Sequence, residues 1–350
     1  MHFGVTAGAI EDVGYIAFAE NLGYTFAWAP DSQLLMSNPF PLLALAAQQT
    51  RKIRLGTGLA IPALRQAPVL ANAIATINKL APGRTFLGIG AGNTAVRTLG
   101  QKPMPVARMK DYVQVVQGLL AGEEVAYTAN GTTQLVRFQN SKLGHAEAPI
   151  PIHLGGLGPM AQALAGEIGD GLVTSLPRGG TPPSVLANLA RGAARAGRSL
   201  TGFEVVALCN LVLLEPGETL ESERVIADCG SAIMANVHYL VDLHRDTGAE
   251  PPAYVEPIWE EYLAFHATRD AERSHQQLHQ SHYVYLDRDE ARFITPEIIR
   301  NFCIAGQPEE VTDQLKALEA AGVTGVNFIH PNEARYRITE RFARKVIARY

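Results

Sequence analysis

The chain has 350 residues, 47% of them apolar and 18% charged, the profile of a soluble globular protein with a sizeable core. Thirty basic and 34 acidic residues leave a formal charge of −4, and no long Lys/Arg run occurs, which disfavours nucleic acid as a partner. No apolar run reaches the roughly 18 residues of a membrane span, and residues 1–5, MHFGV, read as a strand and not as a signal peptide. The three cysteines, Cys209, Cys229 and Cys303, are widely spaced and read as small buried apolar residues.

Strand-like and helix-like segments alternate along the whole chain. Strands are predicted at 2–6, 25–29, 53–58, 85–89, 150–154, 171–174, 204–214 and 325–329. Helical periodicity follows the first three, in Ile16, Ala19, Glu20 and Leu22, then Leu42, Leu43, Ala46 and Ala47, then Val69, Ala73, Ile77 and Leu80. A late helix carries Val311, Leu315, Leu318 and Gly322 on one face, opened by Pro308, Glu309 and Glu310. Eight βα units in series predict one domain, an α/β (β/α)8 TIM barrel with insertions after strand 4 and in the strand 7–8 region. The insertions cover about 122–149, where Asn130-Gly131 signals a hairpin turn, and about 249–304, which holds four of the ten histidines.

The run Leu87-Gly88-Ile89-Gly90-Ala91-Gly92-Asn93 joins an apolar strand to a glycine-rich turn. Its GxGxG spacing is not the GxGxxG of a dinucleotide fold, and no acidic residue ends the next strand. In a barrel the same turn lies at a strand's C-terminal rim, either at a ligand or as a tight turn alone. Gly155-Gly156-Leu157-Gly158-Pro159 opens a helix and is either an anion cradle or a tight turn. Asp31 ends the second strand, as a rim carboxylate or as a helix N-cap. Gly58 ends the third, at a bulge or an ordinary strand end. His275, His279 and His282 have a spacing that allows a metal pair at i, i+4, but without a fixed acidic partner they are read as a polar helix or lid, and no metal is assigned. No GxSxG, HExxH or P-loop is present.

Taken in order, these segments resemble the bacterial luciferase-like superfamily of flavin and deazaflavin enzymes, above all the methylene-tetrahydromethanopterin reductases that use coenzyme F420. The resemblance rests on FGV at 3–5, AWAPD at 27–31, IRLGTG at 53–58, GRTFLGIGAGN at 83–93, IPIHLGGLGP at 150–159, AGEIGDG at 165–171, TPEII at 295–299 and AGQPE at 305–309. It implies a cofactor, F420 or alternatively FMN, lying across the barrel's C-terminal mouth. A non-prolyl cis peptide at Gly58-Leu59 would support the ring. Asp31 would be the rim carboxylate, Asn93 and Thr94 polar contacts, and Gly155, Gly156, Leu157 and Gly158 the phosphate cradle, with Arg178 a further anion contact.

The chain departs from the family at Thr6, where reductases often carry glutamate, at Ser32, where the dehydrogenases carry histidine, and at Asn93, where an acid is usual. A neutral amide is no general acid near pH 7. The catalytic group is therefore open, with His282, Tyr283 and Asn93 as candidates and Tyr285 a further hydroxyl in the same segment. The expected function is hydride transfer between F420 and a small organic substrate, in a cytoplasmic enzyme that forms a homodimer or larger oligomer. The alternatives are an FMNH2-dependent monooxygenase using dioxygen and a non-catalytic flavin-binding barrel.

Overall fold

The structure, a computed structural model, describes residues 1–140, 148–176 and 178–350. All eight predicted strands form, with ends shifted by one or two residues. They are β1 (His2–Thr6), β2 (Phe26–Ala29), β3 (Arg54–Thr57), β4 (Thr85–Ile89), β7 (Ile152–Gly155), β8 (Gly171–Ser175), β9 (Glu204–Leu213) and β11 (Gly325–Phe328). Their order, β9-β11-β1-β2-β3-β4-β7-β8 with β8 returning to β9, closes a (β/α)8 TIM barrel. Near-continuous apolar runs such as Phe26–Ala29 suit strands buried on both faces, and every residue of β2 and β4 is buried.

Between β4 and β7 lies a two-stranded hairpin, β5 (Val125–Ala129) and β6 (Thr132–Val136). Its turn residues Asn130 and Gly131 have φ of 50° and 78°, the two left-handed positions that an Asn-Gly hairpin turn supplies. The remainder of this insertion, 141–147, lies outside the described residues. The helices follow the expected pattern with corrections. The late helix, Pro308–Ala320, buries Val311 and Leu315, but Gly322 lies beyond its end at φ 93°. Helix Ala67–Leu80 forms, but Val69 and Leu80 are exposed. Its buried face is Leu70, Ala71, Ile74, Ala75 and Ile77, so the apolar stripe was read one position off along part of the helix.

The chain divides into two compact units. The first, Met1–Gly92, Pro103–Ala207 and Gly322–Asn327, carries the barrel wall. At the N-terminal ends of its strands, the guanidinium of Arg54 donates to Glu204 at 2.7 Å and lies 4.5 Å from the centre of the Phe26 ring. His153 Nε2 sits 2.8 Å from the other Glu204 oxygen. Burial raises the Glu204 carboxyl, but the hydrogen bonds to His153 and Arg54 outweigh it and hold the group down at about 2.

The second unit comprises Asn93–Lys102, Leu208–Ala321 and Phe328–Tyr350, and so reaches well beyond the predicted 249–304 insertion. Its core gathers Val237, Trp259, Tyr262, Phe293 and Ile298 from the long helix Glu223–Thr247 and the segments after it. The later residues of β9 pair here with a strand that the sequence did not announce, β10 (Cys303–Gly306). The three cysteines are buried free thiols, as expected.

Candidate functional site

In the first unit the site residues gather at the C-terminal ends of β2, β3, β4 and β7. The peptide bond Gly58-Leu59 is cis, as the resemblance implied. The loop it begins is stitched to β4. Thr57 Oγ1 donates to the Gly88 carbonyl at 2.7 Å, Ala60 N–H to the same carbonyl at 2.8 Å, and Gly90 N–H to Ala60 at 3.0 Å.

The glycines of the β4 run receive a side chain. A Cβ on Gly88 or Gly90 would stand 2.7 or 2.6 Å from a Leu59 methyl, and one on Gly155 would stand 2.4 Å away. Such approaches are sterically excluded, so Leu59 occupies a slot that three glycines from two strands keep open. The glycine-rich motif is thus a seat for Leu59 before it is anything for a ligand.

Asp31 is almost fully buried and bonded at both oxygens by Arg65, Nε at 2.7 Å and an Nη at 2.9 Å. The N-cap reading of Asp31 does not hold. Asn38 caps the following helix, Pro39–Gln49, accepting from Phe40 N–H at 3.1 Å. The hydrogen bond to Asp31 raises Arg65 above its usual range, against the opposing effect of burial. The Arg65 guanidinium also lies 4.9 Å from the Phe40 ring centre, and its carbonyl accepts from the Tyr112 hydroxyl at 2.9 Å. Arg65 carried no sequence signal, because it lies in an aperiodic loop. Across the barrel interior, Asn327 Nδ2 donates to Thr6 Oγ1 at 2.9 Å.

The Gly155–Gly158 turn precedes helix Pro159–Ile168, with Gly158 at its N-cap. Gly156 N–H is bonded to Val173 at 3.0 Å. The carbonyl of Leu157 accepts from the buried amide of Gln162 at 3.1 Å, as does that of Gly179 at 2.7 Å. Asn188 Nδ2 fixes the Gln162 carbonyl at 2.7 Å. In a trans peptide the C=O and N–H point in opposite directions. With its carbonyl turned to Gln162, the Leu157–Gly158 peptide directs its N–H away from the interior. Nothing lies within 4 Å of a Cβ built on Gly158. Arg178 lies in the partly buried turn after β8.

The second unit holds the other candidates. Asn93 Oδ1 accepts from Arg97 Nε at 2.7 Å, and its amide nitrogen donates to Asp242 at 3.4 Å. Both ends of this side chain are therefore engaged. Thr94 Oγ1 is 3.2 Å from His282 Nε2, and the His282 and Tyr283 rings meet edge to face at 4.6 Å. Tyr283 has a left-handed backbone at φ 59°, whereas Tyr285 is exposed. Beneath them runs a buried network that the sequence did not reveal. Asp242, on helix Glu223–Thr247, pairs with His279 Nε2 at 3.0 Å, with Arg97 at 3.2 Å and with Arg245. Glu290 pairs with His238 Nε2 at 3.0 Å and accepts from Tyr262 at 2.8 Å and Arg269 at 3.1 Å. Burial pushes the His279 imidazolium down, against the pull of Asp242. The histidine cluster among the described residues is His238, His279 and His282, without His275.

The family model described as luciferase-like monooxygenase matches residues 6–325. The chain belongs to that family. A 5,10-methylenetetrahydromethanopterin reductase of Archaeoglobus fulgidus is 30% identical over 317 residues, covering 89% of this chain and 87% of the relative. An F420-dependent glucose-6-phosphate dehydrogenase of Beutenbergia cavernae is 34% identical over 174 residues, 47% of this chain and 51% of the relative. Among solved structures, the coenzyme F420-dependent tetrahydromethanopterin reductase of Methanopyrus kandleri superposes with a TM-score of 0.70 at 23% identity, covering 100% of this chain and 99% of that one. The FMN complex of a type II Baeyer-Villiger monooxygenase from Pseudomonas putida superposes at 0.63 with 16% identity, covering 96% and 91%. These luciferase-like structures share the barrel. Among the described residues of this member, no helix is long and apolar enough to cross a membrane.

Proposed function

We propose that this luciferase-like protein is an oxidoreductase that transfers a hydride between coenzyme F420 and a small organic substrate. The observation that carries the reading is the Leu59 seat, an apolar surface held in place by Gly88, Gly90 and Gly155 at the strand ends. It is supported by relatives named for F420-dependent or methylenetetrahydromethanopterin reactions. The residues fit such a group. Leu59 offers a stiff apolar wall for a flat ring. The outward amide at Gly158, at the start of a helix, suits a phosphate, with Arg178 as a cationic contact.

When bound, F420 supplies the hydride-accepting or hydride-donating ring carbon. The chain's part is to bind, orient and exclude water. Asp31, locked by Arg65, fixes the β2 rim. Within the second unit, Asn93 and Thr94 are the polar candidates, and Thr94 Oγ1 positions the His282 ring. His282 Nε2 is the proposed proton donor to the substrate, with Tyr283 packed against it. As a finer reading, we propose a cytoplasmic homodimer.

The test is titration of the purified protein with F420 and with FMN, followed by single-turnover reduction of F420 on a substrate panel. Saturable F420 binding is expected, with turnover indifferent to dioxygen. Binding of neither cofactor overturns the reading. The FMN complex among the solved neighbours favours a second reading, an FMNH2-dependent monooxygenase, in which turnover stops when dioxygen is removed.

A further inference from the structure

We propose that the second unit carries a divalent transition-metal site, formed by His238, His279 and His282 and suited to zinc. One ring nitrogen from each lies within 4.8 Å of the other two. His238 and His279 are fully buried. Each presents Nε2 to a carboxylate, His238 to Glu290 and His279 to Asp242, both at 3.0 Å. A neutral imidazole whose Nε2–H is donated keeps a lone pair on Nδ1. Those two Nδ1 atoms are buried and have no hydrogen-bond partner. A buried acceptor left without a donor is costly, and two beside a third imidazole form a ligand set that a metal ion would satisfy.

The carboxylates complete the argument. A ligating histidine commonly donates its other N–H to a carboxylate, which fixes the tautomer and raises the ring's basicity. Here both buried rings carry that partner. Glu290 is held in turn by Tyr262 and Arg269, and Asp242 by Arg97 and Arg245. Three neutral nitrogens suit zinc and its neighbours better than magnesium or calcium, which take oxygen ligands. Bonds of about 2.0–2.1 Å place tetrahedral ligand nitrogens roughly 3.3 Å apart. The rings therefore need to draw together by about an ångström or more, and His282 is the half-buried one, in a turn. Three ligands leave a fourth position for water or an anion. A metal on His282 takes that ring out of the proton-donor role proposed above and leaves the role to Tyr283; the site does not otherwise depend on the F420 reading.

The experiment uses the full-length, tag-free chain, stripped with a chelator and titrated with Co2+ alone and then with Zn2+. The expected result is a visible ligand-field band saturating at one Co2+ per chain, bleached by Zn2+, with Zn2+ raising the melting temperature. His282→Gln should abolish the band, and His275→Gln should leave it intact. Glu290→Gln removes no ligand and should weaken Zn2+ binding by about 10- to 100-fold. Circular dichroism checks that each variant is folded. Absence of the band in the parent chain overturns the proposal without reference to any variant. So does a band that persists in folded His282→Gln, or one that is lost equally in His275→Gln.

Discussion

Asp31 and Arg65 show how a residue that reads as a ligand contact can first be a structural one. The carboxylate was legible at the end of β2, but its partner, 34 positions away in an aperiodic loop, was not. Removing one member of a largely buried ion pair leaves the other's charge without compensation. Asp31→Asn is expected to cost about 3 kcal/mol, measured by urea unfolding, with Arg65 still desolvated beside a neutral amide. Glu204 makes a pH-dependent counterpart. Its carboxyl falls from 4.5 to about 2 on folding. The stabilisation is thus fully present above 4.5 and lost as pH drops toward 2. A shift of that size corresponds to about 3 kcal/mol, taken as an order of magnitude. Glu204→Gln should lower stability at neutral pH and flatten the acid limb of a stability–pH curve. An unchanged acid limb would show that Arg54 and His153 do not depress this group.

At the level of elements, the strands were readable because doubly buried parallel strands must be apolar runs, and eight such runs leave little choice of fold. What escaped was set by packing between elements. β10 is only four residues long and directly follows helix Pro296–Phe302, too short for any period to show. The buried face of helix Ala67–Leu80 is decided by its neighbours, and an apolar Val69 on the outside misleads. The turn at Gly88–Gly92 was recognised, but its occupant, Leu59 from the next strand over, was not. Gly90→Ala puts a methyl into the Leu59 side chain, and we expect a loss of about 1–3 kcal/mol together with weaker F420 binding. Adding Leu59→Ala should return part of the stability, because the two sites couple, but none of the binding. Gly14→Ala, with nothing within 4 Å of the added methyl, serves as the tolerated control.

For the whole molecule, the barrel and its family follow from the ordered set of motifs, whereas the second unit was seen only as a long interruption. Its polar heart pairs His238 with Glu290 and Asp242 with His279, partners 52 and 37 positions apart and individually ordinary. Only three-dimensional proximity gives them a shared meaning. A cofactor that binds the folded chain alone adds to its stability by mass action. At a hundredfold excess over its dissociation constant, F420 should raise the unfolding free energy by about 2.7 kcal/mol, visible as a higher melting temperature. FMN at the same concentration should raise it less, and equal shifts would count against F420 selectivity.

The Leu59 seat also constrains how this mouth can diverge. Residues 59, 88, 90 and 155 share one small volume, so their side-chain sizes are not independent variables. A lineage that enlarges Gly90 or Gly155 must shrink residue 59, whereas Gly88 is held to glycine by the Thr57 carbonyl, 2.2 Å from an added Cβ. Substrate range at such a rim would then change in paired steps, and single substitutions at these four positions would be blind alleys.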